Sequence, residues 1–215
     1  MPTPDVLPAT RADVPDLSAA LARAFFDDPV MAFLFPDERR RPADLRVFFS
    51  MELRVLHLAH GGVFRGAGME GGALWAPPGH WKMTTTQLIR AAPPLLRIFR
   101  QRVGVALGAL SMVEKAHPSE AHWYLAILGT DTVHQGHGWG GRLLAPVLTR
   151  CDADGTPAYL ESSKESNIAF YARHGFEVTE RVDLTPKGPP VWGMWREPRP
   201  PDRGAIDPWP AHGPR

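Results

Sequence analysis

The chain has 215 residues, 44% hydrophobic and 22% charged, and its 24 Lys and Arg against 23 Asp and Glu give a net charge of +1 with nine neutral histidines. That length suits one domain with a sizeable core and is short for two, and the balanced charge supplies no basic field for nucleic acid or an anionic membrane. A single cysteine, Cys151, excludes an internal disulfide and fits a reducing compartment. The opening Met1-Pro2-Thr3-Pro4-Asp5 lacks the basic and apolar parts of a signal peptide, and no apolar run nears the roughly 18–20 residues of a membrane span. The expectation is a cytoplasmic protein, monomer or homodimer.

In chain order, Val6-Leu7-Pro8-Ala9 reads as an edge strand, where proline is tolerated. Capping chemistry at residues 10–13 precedes Leu17, Leu21, Ala24 and Phe25, an amphipathic helix ending near Asp28-Pro29. A short apolar piece (31–35) stops at Pro36, and the charged run 37–41 reads as a solvated helix start. Leu45, Phe48, Phe49, Leu53 and Leu56 mark a longer helix closed by Gly61-Gly62. Val63-Phe64 and Ala73-Leu74-Trp75-Ala76 read as strands joined by a glycine-rich turn. Residues 84–115 have a helical pattern broken at Pro93-Pro94, which predicts two or three helices. Their Arg90, Arg97, Arg100 and Arg102 read as a solvated face that also stands where it can wall a substrate site. His122 reads as solvent-facing.

The chain is organised around residues 121–150. The apolar run Trp123-Tyr124-Leu125-Ala126-Ile127-Leu128 ends at Gly129, a polar connection follows, and then Gln135-Gly136-His137-Gly138-Trp139-Gly140-Gly141 leads into Leu143, Leu144, Val147 and Leu148 at helical spacing. Strand, glycine loop and helix N-terminus aim unpaired N–H groups and a helix dipole at one spot, which suits a phosphate. Past this helix, residues 157–161 read as a strand. Ser166 or Asn167 caps a helix through Ile168, Phe170, Tyr171 and Ala172 that stops at His174-Gly175, and strands follow at 176–178 and 191–195. The domain is placed at 1–197, with a Pro-rich, disordered tail over 198–215.

The loop admits two ligand readings beside a plain glycine-rich turn. Gly136, Gly138 and Gly141 satisfy G-x-G-x-x-G, with Glu161 at 20 residues beyond the last, as in a dinucleotide-binding fold. That motif belongs at the strand end and opens several βαβ units, whereas here a polar loop intervenes and little chain remains. The other reading is Q-x-x-G-x-G, from Gln135, Gly138 and Gly140.

This second pattern, together with N-x-x-x-Y-x-x-x-G-F from Asn167, Tyr171, Gly175 and Phe176, resembles the GNAT superfamily of N-acetyltransferases. The stretch 10–36 with Ala24-Phe25 and Asp28-Pro29, then Pro146, Leu160-Glu161 with Ser163, and Gly188-Pro189 with Trp192 and Met194, are similar to its puromycin N-acetyltransferase-like subgroup. The resemblance covers about residues 10–197. It implies an α/β (α+β) fold, the GNAT acyl-CoA N-acyltransferase fold, with one mixed sheet of about six to seven strands flanked by helices. It also implies that Pro146 sits in a kinked helix rather than ending it. Thr130 stands where the family usually has valine, and Asp131-Thr132 replaces the common residue-proline pair.

The resemblance further implies acetyl-CoA as co-substrate and direct acyl transfer to a primary amine. Leu128, Gly129 and Thr130 would pair with the pantetheine arm, with an amide near Thr130 stabilising the oxyanion. Gln135, Gly136, His137, Gly138, Trp139, Gly140 and Gly141 would hold the pyrophosphate, and Asn167 would bond the cofactor or orient the tyrosine. Tyr171 would protonate the departing thiolate; the alternative is a tyrosine packing its helix. Glu161 reads either as general base or amine anchor, or as a surface or capping carboxylate. His57/His60 and His134/His137 lack a third ligand, so no metal is expected. A small-molecule acceptor on an apolar or aromatic body follows from Phe25, Phe26, Phe33, Phe35, Trp75 and Trp81 with only Asp27 and Asp28 as anions. A non-catalytic acyl-CoA sensor and, more remotely, a dinucleotide-dependent oxidoreductase are the alternatives.

Overall fold

The computed structural model describes residues 5–186 and 188–199; the expectations for the first four residues and for the tail from residue 200 fall outside them. Seven strands form one mixed sheet in the order β1-β2-β3-β4-β5-β7-β6. They are β1 (Val6–Pro8), β2 (Val63–Gly66), β3 (Gly71–Ala76), β4 (Trp123–Thr130), β5 (Ala158–Ser162), β6 (Glu177–Asp183) and β7 (Pro190–Arg196). Every neighbouring pair is antiparallel except β4 and β5.

That parallel pair is short. Its ladder holds only Trp123↔Ala158, Tyr124↔Tyr159 and Leu125↔Leu160, after which the strands part. The split coincides with a bulge. Leu74 of β3 faces Ile127 and Trp75 faces Leu125, so Ala126 is an extra residue on β4. A bulge resets which face successive side chains take. Leu125 and Leu128 join the core under Leu143, Leu144 and Val147. Ala126 and Ile127 turn to the opposite core, with Leu17, Leu21, Leu45 and Phe49.

The helices fill both faces. On one lie α1 (Val14–Ala24), α2 (Pro29–Leu34), α3 (Arg41–Met51), α4 (Thr85–Phe99) and α5 (Val103–Ala116); on the other lie α6 (Trp139–Asp154) and α7 (Ile168–Arg173). Asp28 does not merely end the first helix: its carboxylate accepts from the amides of Val30 and Met31, both at 3.0 Å, and so starts α2. The apolar piece read at 31–35 is this helix. α3 continues as a π-helical turn (Glu52–His57) and a 3₁₀ turn (Leu58–His60) before Gly61 closes it at φ 71°.

Three expectations are corrected here. The charged run is not wholly solvated, because Arg41 is buried and donates to the carbonyls of Phe35 (2.7 Å), Phe26 (3.3 Å) and Pro36 (3.4 Å). The prolines do not break the inserted segment. α4 runs through Pro93 and Pro94; the carbonyls left without a helical donor belong to Ile89 and Arg90, which are exposed to solvent. The break falls at Arg100, with φ 49°. At α7, neither Ser166 nor Asn167 supplies a capping side-chain bond; a 3₁₀ turn (Glu165–Asn167) leads in instead.

Candidate active site

The split between β4 and β5 opens a cavity of about 750 Å³, within the usual range for small-ligand sites. Beyond Leu125 the β4 edge has no strand partner on its β5 side, leaving backbone groups of residues 126–130 facing the cleft. The cavity is lined by Leu128, Gly129, Thr130, Gln135, Gly136, Gly138, Trp139, Gly140, Gly141, Glu161, Asn167 and Tyr171. His137 is set apart from them: its Nδ1 lies 2.8 Å from the Gln135 carbonyl and 3.3 Å from that of His134, so it braces the loop.

At one end stands the N-terminus of α6. Gly138 is its N-cap at φ 79° and brings no capping side chain, so the first-turn amides are left for a ligand. The glycines divide into two kinds. A Cβ on Gly136 (φ 78°) or Gly138 would meet open space, but the backbone there is left-handed. A Cβ on Gly140 would stand 2.9 Å from the Phe170 ring, and one on Gly141 3.1 Å from His174. These two glycines let α6 and α7 touch. Gly138→Val is expected to raise the Kd for CoA by about tenfold or more, because a β-branched residue distorts the left-handed turn that presents the amides. Calorimetric titration checks this, and unchanged affinity in the folded variant would remove the cofactor from this loop.

The loop's other end is tied down by Asp131. The Arg23 side chain donates to it from Nε (3.0 Å) and Nη2 (2.5 Å), and this bonding holds the Asp131 carboxyl below the usual range. Gln135 Nε2 reaches back to the Thr130 carbonyl at 3.1 Å. The Asp131-Thr132 departure noted in the sequence is thus an anchor between α1 and the strand end.

Tyr171 is 8% exposed on α7, its ring against Phe170 and Phe176. Burial, and then the negative charge of Asp28, push its phenol well above the ordinary value, so it stays protonated. Asp28 is itself buried and takes a hydrogen bond from Ser163 Oγ.

Glu161 is the first residue of β5 beyond the split, and its side chain is 7% exposed. It is therefore not a surface carboxylate. It shares the α1–α5 face of the sheet with Tyr124 and Tyr159, whose hydroxyls burial and then the Glu161 charge push far up. His117, the residue closing α5, lies with Nδ1 3.5 Å from Glu161 Oε1. His122, read from sequence as solvent-facing, is 3% exposed, with Nε2 3.0 Å from His117 Nε2. A hydrophobic strand start and an aromatic neighbourhood bury it; the only signal available was its place directly before the apolar run.

Of the six aromatic residues expected to wall the acceptor, two are core and four are half-buried. Trp75 is 0% and Phe35 3% exposed, while Phe25 lines the cavity and Trp81 stacks on His117 at 3.7 Å. Among the described residues, no group of three His, Cys, Asp or Glu side chains is placed to hold a metal, and no helix is long and apolar enough to cross a membrane. The dinucleotide reading fails on topology, since it needs several parallel strands and this sheet has one parallel pair.

The model of the Acetyltransferase (GNAT) family matches residues 70–176, which span the split strands, the glycine loop and α7. An uncharacterized N-acetyltransferase of Schizosaccharomyces pombe is 28% identical over 184 residues, 80% of this chain and 74% of that protein. A crystal structure described as histone acetyltransferase HPA2 and related acetyltransferase from Corynebacterium glutamicum superposes with a TM-score of 0.69 at 27% identity, covering 95% of this chain and 99% of that one. A Drosophila melanogaster polyamine N-acetyltransferase shares the fold at a TM-score of 0.56 and 15% identity, over 89% and 98% of the two chains. Family model, relative and fold agree on the GNAT family of N-acetyltransferases, which the chain matches over residues 70–176 and whose fold it adopts.

Proposed function

We propose that the protein transfers the acetyl group of acetyl-CoA directly to the primary amine of a small molecule, in the manner of the puromycin N-acetyltransferase-like subgroup. The observation that carries this reading is the continuity of one cleft. It runs from the uncapped α6 N-terminus past the unpaired β4 edge to Tyr171 and Glu161. First-turn amides from Gly138 onward would take the pyrophosphate, with Gln135 and Asn167 at the rim. Backbone groups of Leu128, Gly129 and Thr130 would pair with the pantetheine arm as a missing strand would, and an amide there would face the oxyanion of the tetrahedral intermediate. Tyr171 would give its proton to the departing thiolate, and Glu161 would receive a proton from the amine.

The acceptor is read from charge. Asp28 and Glu161 are the carboxylates lining the cavity, and Asp28 is engaged in capping α2 and accepting from Ser163. One free carboxylate suits one ammonium on an apolar or aromatic body, whereas a polycation would need several. The test is release of free CoA thiol from acetyl-CoA with puromycin-like aminoacyl amines, aromatic monoamines, an aminoglycoside and a lysine peptide. The monoamines are expected to lead in kcat/KM; preference for the aminoglycoside or the peptide overturns the acceptor class. Tight CoA binding with no thiol release by any amine would favour a non-catalytic sensor.

A further inference from the structure

We infer that His117 and Glu161 act as a pair that holds the proton taken from the acceptor amine, with His122 fixing which His117 nitrogen faces Glu161; this rests on reading Glu161 as the amine's base. The argument starts at the far end of the chain of contacts. His122 Nδ1 lies 2.6 Å from the carbonyl of Glu120, which only accepts, so that nitrogen carries hydrogen. Burial disfavours a second proton on His122, so its Nε2 presents a lone pair. His117 Nε2, at 3.0 Å, must therefore be the donor. That leaves His117 Nδ1 turned toward Glu161 Oε1.

Those two atoms are both buried and both without a hydrogen-bond partner. A neutral His117 and an ionised Glu161 set two acceptors face to face, an arrangement that is costly in a buried site. One proton placed between them satisfies both. Their separation of 3.5 Å is the outer edge of hydrogen-bond range and closes once the proton is there.

The surroundings suit the charged form. The Trp81 indole stacks on the His117 ring with centroids 3.7 Å apart and planes at 24°, and the Tyr124 and Tyr159 rings stand edge-on at 4.8 and 5.1 Å. The titratable groups around the pair are Tyr124 on β4, Tyr159 on β5 and His122. The Tyr124 hydroxyl hydrogen-bonds to the Glu161 carboxylate, which leaves Oε1 as the unpaired oxygen; Glu52 adds its charge at Tyr124 and Glu180 at Tyr159.

The step balances. One N–H bond of the substrate ammonium breaks, its electron pair stays on nitrogen for attack on the thioester, and the proton passes to Glu161 and settles on His117 Nδ1. Ammonium and carboxylate become neutral amine and an imidazolium–carboxylate pair, with no net charge created in the cleft. Of the two protons the ammonium loses, the pair holds the one removed before attack and passes it to solvent; the one lost as the tetrahedral intermediate collapses restores the proton that Tyr171 gives to the CoA thiolate. Glu161 is thus the catalytic residue, and His117 and His122 are positioning residues.

The test reads histidine protonation directly. In the full chain with ¹⁵N-labelled histidines, long-range ¹H–¹⁵N correlation spectra are followed from low to high pH. His122 is expected to remain the neutral Nδ1–H tautomer. His117 is expected as the Nε2–H tautomer when neutral, and its protonated form is expected to show an Nδ1 proton shared with Glu161 that is lost in Glu161→Gln. In the kinetic arm, His117→Gln should retain acetyl-CoA affinity while the acid limb of its kcat/KM profile moves. A neutral His117 in the Nδ1–H tautomer, or an Nδ1 proton signal indifferent to Glu161→Gln, overturns the pair even where Glu161→Gln abolishes turnover. A Glu161-dependent Nδ1 proton with full turnover in Glu161→Gln instead overturns Glu161 as base, and the proposal with it.

Discussion

Tyr171→Phe is expected to fold, to bind acetyl-CoA like the parent, and to lose roughly 10²–10⁴-fold in kcat, the usual range for removing a general acid. The ring is held by apolar contacts with Phe170 and Phe176, and phenylalanine keeps them. What disappears is the hydroxyl, which burial and the Asp28 charge keep protonated. A raised value makes the phenol a reluctant acid in the resting site, but in the proposed reaction its proton would be taken only as negative charge grows on the leaving sulfur. Turnover should therefore fall without a matching rise in the KM for acetyl-CoA, the pattern of an interaction made only in the transition state. Steady-state kinetics of thiol release measures this. A kcat within twofold of the parent would reduce Tyr171 to packing.

Local chemistry was legible in the sequence, and tertiary placement was not. The seven strands, the loop from Gln135 to Gly141, and the helix bearing Asn167 and Tyr171 announce themselves through alternation, glycine and capping. Each of these signals acts within a few residues. The bulge at Ala126 left no such mark, because Tyr124-Leu125-Ala126-Ile127-Leu128 is apolar on both faces and any register fits it. His117 was invisible for a related reason: it closes α5 and meets Glu161 only after the chain has crossed β4 and α6. Asp131 looked like a departure from the family until Arg23, 108 residues away, supplied its partner. The aromatic residues of the first 81 positions misled in the opposite direction, since composition cannot tell a cleft wall from a core, and Trp75 and Phe35 belong to the core. The two prolines of α4 were over-read: a proline disfavours a helix locally, but α4 continues through both.

The second large effect concerns the brace that holds α6 and α7 against the sheet. Arg196, at the end of β7 and 3% exposed, donates from Nη1 and Nη2 to the two carboxylate oxygens of Asp152 on α6, each at 2.8 Å. Its Nε donates to the carbonyl of His174, just past α7, also at 2.8 Å. The planar guanidinium thus joins the helix that carries the glycine loop to the end of the helix that carries Tyr171. Arg196→Met fills similar space but removes all three donors. The Asp152 carboxylate, with 21% of its side chain exposed, keeps only the Arg199 amide at 2.7 Å. Breaking a buried pair from one side destabilises by about 3–5 kcal/mol, mostly because the remaining charge is stranded. Urea unfolding of Arg196→Met should show a loss of that order with m unchanged. The double variant Arg196→Met/Asp152→Leu should recover much of it, since no charge is then left behind. A single-variant loss under about 1 kcal/mol, the level of an exposed ion pair, would mean that the Arg196–Asp152 contact is surface decoration rather than the brace between α6 and α7.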